Sequence, residues 1–237
     1  MRSRMYQKPI LPTGALPIDR ILEGGLHAGE ITTVFGEAAT GKSTLAYQSL
    51  INVAKMELTT IYIDTEHKFS TRRIAQIDDK TDISDFILLF QPETFTQQIQ
   101  YLKNLKDLLN ERSFKLLIID TVSNLYRLES YSIEKNIALK RLLEQHLARI
   151  YGETRRHGLF TFITSQVRSF KGKTTLIGED CLYAYSKKVL ELRKGLINNK
   201  RFAILRKGIS NMIDESLSYV ITEKGVSSIN EVKLPPC

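Results

Sequence analysis

Between residues 30 and 165, short apolar, β-branched runs alternate with longer stretches in which apolar side chains recur every three or four positions. The short runs read as buried strands and the longer stretches as helices with one apolar face. Strands fall at Ile31–Phe35, Thr59–Asp64, Phe86–Phe90, Lys115–Asp120 and Leu159–Ser165. Helices span about Lys42–Lys55, Ser70–Ile77, Phe95–Asn110 and Ile133–His157. Within Phe95–Asn110, Ile99, Leu102, Leu105, Leu108 and Leu109 form a one-sided stripe suited to packing on a sheet. Strands and helices in this alternation predict a parallel sheet with crossover helices.

After Ser165 the pattern changes. Val167–Gly178 is polar and glycine-containing and predicts a loop. Val189, Leu190 and Leu192, then Phe202, Ile204 and Leu205, flank the turn-like Gly195–Lys200, which predicts a β-hairpin. A last strand follows at about Ser216–Thr222. The expected fold class is α/β: a mainly parallel sheet flanked by helices, with an antiparallel β extension over 187–222. A single domain over 11–230 is expected, behind a basic tail at 1–10.

Composition narrows the function classes. With 237 residues, 42% of them hydrophobic and 25% charged, the chain can bury a core without staples. Cys181 and Cys237 have no metal-ligand spacing, so no disulfide framework is expected and a cytoplasmic location fits. No apolar run approaches the roughly 20 residues of a membrane helix. Arg2, Arg4 and Lys8 have no apolar segment behind them, which argues against a secretory signal. Lys plus Arg number 34 against 26 Asp plus Glu, a surplus that suits a polyanion such as nucleic acid but equally a solvated basic surface.

The segment Gly36-Glu37-Ala38-Ala39-Thr40-Gly41-Lys42-Ser43-Thr44 matches G-x-x-x-x-G-K-[ST]. It follows an apolar strand and opens a helix, the context that phosphate binding requires. Backbone N–H groups and the helix N-terminus would wrap the phosphates of ATP. Lys42 would meet the β- and γ-phosphates, and the Ser43 hydroxyl suits Mg²⁺. The run Leu116–Asp120 is apolar and ends in an acid, so a buried parallel strand delivers Asp120 to the sheet edge where ligands sit, there to hold a Mg²⁺-bound water. A third strand ends in Asp64-Thr65-Glu66; Glu66 is the candidate base for an attacking water, with Asp64 the competitor. Gln166, at the end of the fifth strand, is placed to touch the γ-phosphate and report it to the segment that follows.

These segments, taken in order, resemble the RecA/RadA recombinase family. Leu11-Pro12-Thr13-Gly14, Asp19 and Gly24-Gly25 precede the P-loop. After it come Tyr62–Glu66, Phe69-Ser70, Arg73-Ile74-Ala75-Gln76, the Asp120 strand, Ser165-Gln166-Val167 and Ile221–Gly225. Phe69-Ser70 leans toward the short archaeal branch of that family. The resemblance implies a RecA-like core in which the Gln166 strand lies between the P-loop strand and the Asp120 strand. It implies Glu66 as the water-activating glutamate, Gln166 as the γ-phosphate sensor and Arg73 as a residue packed on adenine. It also implies DNA-binding loops at about 122–131 and at 168–178.

The departures from the family pattern shape the expected role. The N-terminal helical DNA-binding domain of RadA and its Phe-x-x-Ala protomer-linking motif are not found before the core. Cys181–Tyr185 lacks the histidine that RadA carries there, and His67 stands where RadA has glycine. The expectation is a weak ATPase, monomeric or weakly oligomeric, that regulates a RadA-type recombinase and has a Holliday-junction nuclease as a further partner. A filament-forming recombinase is the alternative, with Lys187 or Lys188 supplying charge to a neighbour's ATP; a KaiC-like signalling ATPase or P-loop kinase is the lesser one. Arg168, Lys171 and Lys173, with Phe170 among them, suit a single-stranded DNA backbone and a stacked base. A second basic group, Lys187, Lys188, Arg193, Lys194, Arg201, Arg206 and Lys207, lies on or near the hairpin. His27, His146 and His157 read as structural or surface residues without identifiable partners.

Overall fold

Leu116 and Ile118 face one side of a strand, Leu117 and Ile119 the other, and all four are fully buried. A strand covered on both faces has to be apolar at every position. The computed structural model describes residues 8–129, 133–170, 173–195, 199–208 and 213–229. In chain order these form β1 (Ile10–Leu11), α1 (Leu16–Ile21), β2 (Leu26–His27), β3 (Glu30–Gly36), α2 (Lys42–Lys55), β4 (Thr59–Asp64) and α3 (Thr71–Ile77). Next come β5 (Ile87–Phe90), α4 (Phe95–Lys103), α5 (Leu105–Glu111), β6 (Phe114–Asp120), α6 (Asn124–Leu128), α7 (Ile133–His157) and β7 (Phe160–Ser165). The remainder is β8 (Val167–Phe170), β9 (Lys173–Leu176), α8 (Glu179–Tyr185), β10 (Lys188–Lys194), β11 (Arg201–Lys207), β12 (Ser216–Thr222) and β13 (Gly225–Ser228).

The central sheet runs β13-β12-β11-β10-β3-β7-β6-β4-β5. From β10 to β5 every neighbouring pair is parallel, and from β10 outward to β13 every pair is antiparallel. β7 lies between β3 and β6, the order that the family resemblance implies. Side chains from α1, α2 and α3 fill one face, including Ile18, Leu45, Leu50 and Ile74 against Val34, Leu116 and Ile118. On the other face Phe95, Leu102, Leu143 and Leu147 pack on Ile63, Leu117 and Ile163. This is a RecA-like α/β layering, and it brings the C-terminal ends of β3, β4, β6 and β7 to one edge.

Several predicted boundaries change for local reasons. The helix expected over Phe95–Asn110 is two helices that meet at Asn104. Thr94 caps the first by accepting from Gln97 N at 3.1 Å, and the Asn104 carbonyl starts the second by accepting from Leu108 N at 3.2 Å. Leu102 and Leu105 both stay buried across the break. The loop expected over Val167–Gly178 contains a two-stranded hairpin, with Val167 opposite Leu176 and Arg168 opposite Thr175. The Leu11–Gly14 motif is an anchor: Asp19 accepts from Thr13 N at 2.6 Å and Thr13 Oγ1 at 2.7 Å, and Asn52 donates to Pro12 O at 3.0 Å. Among the described residues no helix is long and apolar enough to cross a membrane.

Candidate functional site

Gly36 ends β3 where the backbone has to pass close to β10. A Cβ there would lie 2.2 Å from Leu192 O, so no larger residue fits. Gly41 caps α2 at φ +101°, in the left-handed region that glycine adopts without strain, and a Cβ would press on Ile221 at 2.9 Å. Between them lies the strand-to-helix loop, the context in which backbone N–H groups hold phosphate. Lys42 is buried, and its Nζ donates to Gly36 O and Glu37 O at 2.8 Å each. Burial pushes its ammonium below the usual lysine range, while Asp120 and Glu66 act to raise it. The C-terminal strands brace this loop. Tyr219 OH donates to Thr40 O at 2.6 Å, and Gln48 on α2 accepts from Val226 N at 2.9 Å.

Asp120 ends β6 beside Ser43. Its carboxylate accepts from Tyr62 OH at 3.0 Å and from Thr164 Oγ1, and the Ser43 hydroxyl lies near enough to favour its charged form. Burial pushes its carboxyl above the ordinary range, and the three hydroxyls act against that shift. A hydroxyl and a carboxylate form a hard oxygen set of the kind Mg²⁺ takes. With the glycine cradle and a buried ammonium alongside, the residues fit a Mg²⁺–nucleoside triphosphate.

The two candidate bases separate by geometry. Asp64 is buried, and its oxygens accept from Glu66 N at 3.1 Å, Phe69 N at 2.8 Å and Gln91 Nε2 at 3.0 Å. It fastens the turn that follows β4. Glu66, like Asp64, lines a cleft of about 790 Å³ with Gly36, Lys42, Ser43, Asp120 and Gln166, but its oxygens meet side chains and not the backbone of the turn. One of its oxygens accepts from Gln166 Nε2, and the other from Lys68 Nζ at 2.6 Å. Gln166 is tied at three further points. Its N–H donates to Ser123 Oγ at 3.0 Å, its carbonyl accepts from Ile177 N at 3.1 Å, and β8 begins at the next residue.

Other expected residues lie elsewhere or outside the described residues. Arg73 is not among the residues lining that cleft. Its guanidinium donates to Thr222 O at 2.7 Å and Glu223 O at 3.0 Å, clamping α3 to the β12–β13 turn. Arg168 is exposed on β8 and lines the cleft mouth with Arg127. Lys173 lies on β9, and Lys171 falls outside the described residues. Lys188 is corrected outright as a source of charge for a neighbour. It is buried, with its ammonium donating to Leu22 O and meeting His27 Nε2 at 2.9 Å and Glu23 at 3.4 Å. Much of the second basic group is satisfied internally. Arg193 and Arg206 share Glu191 at 2.6 and 2.7 Å, and Lys207 donates to Tyr183 O. His27 therefore has a partner, whereas His157 Nε2 lies 3.3 Å from Glu153 without a hydrogen bond. His146 Nε2 has none among the described residues.

Sequence reasoning missed Tyr62, Thr164, Ser123 and Lys68. A period of two was the available signal for the first pair: Tyr62 and Thr164 sit two residues before Asp64 and Gln166 and so share their faces. Ser123 and Lys68 act through turns whose shape no local pattern reveals.

A Rad51 family model matches residues 7–229. Among curated relatives, the DNA repair and recombination protein RadB of Methanosphaera stadtmanae is 31% identical over 232 residues, covering 94% of this chain and 98% of the relative. RadB of Thermococcus sibiricus is 31% identical over 233 residues, with 94% and 97% covered. RadB of Archaeoglobus fulgidus is 30% identical over 222 residues, with 93% and 99% covered.

Proposed function

The chain belongs to the Rad51 family, and on that premise we propose that it is an ATP- and DNA-binding protein of DNA repair and recombination that regulates a RadA-type recombinase. Its relatives are named for repair and recombination. In this reading ATP acts as a conformational ligand and turnover is slow. The observation that carries it is the position of Gln166, bonded through its side chain to Glu66 and through its backbone to both ends of the β8–β9 hairpin.

The P-loop amides and Lys42 bind and orient the triphosphate. Ser43 and Asp120 would hold Mg²⁺, which when bound neutralises charge developing on the phosphates. Tyr62 and Thr164 fix the Asp120 carboxylate in place. Glu66 is the group that accepts a proton from the attacking water. Gln166 leaves Glu66 when it meets the γ-phosphate, and the hairpin moves with it. Arg168 beside the cleft and Lys173 on β9 lie on that moving element, so nucleotide state alters the grip on DNA phosphates. Binding of a fluorescent single-stranded oligonucleotide with and without Mg²⁺–ATP tests this reading. Nucleotide should change the affinity of the wild type and leave that of Gln166→Ala unchanged. Equal affinity in both nucleotide states of the wild type would remove the switch.

A further inference from the structure

The turn between β4 and α3 is fastened at several points. Asp64 accepts from the backbone of Glu66 and of Phe69, and Tyr47 OH donates to Lys68 O at 3.2 Å. His67 sits at φ +55° between them. Lys68 is thereby held two residues from Glu66, and its ammonium reaches the Glu66 carboxylate at 2.6 Å although the lysine side chain is 77% exposed. With Gln166 on the other oxygen, both oxygens of the candidate base already have a protein donor.

We propose that Lys68 is a positioning residue that restrains the Glu66 carboxylate and so keeps ATP turnover slow. The inference rests on Glu66 being the base. When the nucleotide draws Gln166 away, one oxygen of Glu66 is released while the other is still held by Lys68. A carboxylate aimed at Lys68 has to turn from that ammonium to accept a proton from water, and each turnover carries that cost. The backbone bonds of the turn hold the pair in register, which limits the side-chain entropy that usually weakens exposed ion pairs. The restraint acts on the chemical step and not on phosphate binding, because Lys42 and the loop amides hold the phosphates independently.

Steady-state ATP hydrolysis by Lys68→Met and Lys68→Arg, with Glu66→Gln as control, tests this. Exposed pairs of this kind shift equilibria modestly, so Lys68→Met should raise kcat roughly two- to five-fold with KM for ATP unchanged. Lys68→Arg should stay near wild type. A second readout needs no nucleotide. The Glu66 bond holds the Lys68 ammonium above the usual lysine range. An NMR titration of Lys68 should therefore show its midpoint falling toward the ordinary lysine value in Glu66→Gln. An unchanged or lowered kcat in Lys68→Met, a raised KM, or a Lys68 midpoint indifferent to Glu66→Gln would each overturn the restraint. If Glu66→Gln alone retains turnover, the base assignment fails and takes the proposal with it. If that variant is inert while Lys68→Met behaves as wild type, only the restraint fails.

Discussion

At the scale of single residues, Glu66 and Asp64 are two acids two positions apart with different work. Both line the cleft, but Asp64 is buried and accepts three hydrogen bonds that shape a turn, whereas Glu66 is 19% exposed and bonded only to the side chains of Gln166 and Lys68. Glu66→Gln should keep ATP binding and the melting temperature while removing turnover, because only proton acceptance is lost. Asp64→Asn turns an amide toward backbone N–H groups and should cost about 1–3 kcal/mol of stability. Denaturation curves beside rate measurements separate the two: inert but fully stable Asp64→Asn would reverse the assignment. His146 offers a pH test. Burial holds its imidazole at about 4, below the usual 6.5, and its Nε2 has no hydrogen-bond partner among the described residues. A folded value below the unfolded one means that stability is present above pH 6.5 and is lost as pH falls toward 4. The loss from this group is about 3 kcal/mol between pH 7 and pH 4. Relative to His146→Leu, the wild type should weaken by that amount across the window; parallel stability curves would contradict a buried neutral imidazole.

At the scale of elements, the strands of the core were legible because burial on both faces demands apolar runs, as in Leu116–Asp120, and because β4 and β6 end in the acids Asp64 and Asp120. The P-loop was legible for the same reason, glycines fixed by close approach at Leu192 and Ile221. Other elements were hidden by their brevity or by tertiary pairing. α1 spans six residues around Pro17, and the β8–β9 hairpin is polar and defined by its cross-strand register. The break at Asn104 leaves the apolar stripe intact, so periodicity could not show it. Lys188 read as a surface cation because strand alternation does not reveal that Leu22, Glu23 and His27 cover it. The β8–β9 hairpin carries its own prediction. Replacing Arg168, Lys171 and Lys173 with alanine should weaken single-stranded DNA binding and flatten the slope of log affinity against log salt by about 0.7 for each phosphate no longer neutralised. Fluorescence anisotropy over a salt series reads that slope, and an unaltered slope would move the footprint off this hairpin.

At the scale of the whole molecule, one sheet joins the nucleotide machinery to its C-terminal extension. β10 pairs with the P-loop strand, and Tyr219, Val226 and Arg73 link the outer strands to the P-loop, α2 and α3. The groups proposed to bind a nucleotide are all contributed by a single chain, and the proposed base, Glu66, is held by Gln166 and Lys68. Charge supplied in trans by a neighbouring protein is worth about 10³ or more in phosphoryl transfer. Lys188 is buried within its own protomer and cannot serve that purpose, whereas Lys187 is exposed and stays available for it. The most direct test is ATP turnover by the wild-type chain with and without single-stranded DNA, with filaments imaged in the same samples. Slow turnover that DNA barely changes, without filaments, is the predicted result. Strong DNA-stimulated turnover accompanied by filaments would contradict it and make the chain a recombinase in its own right.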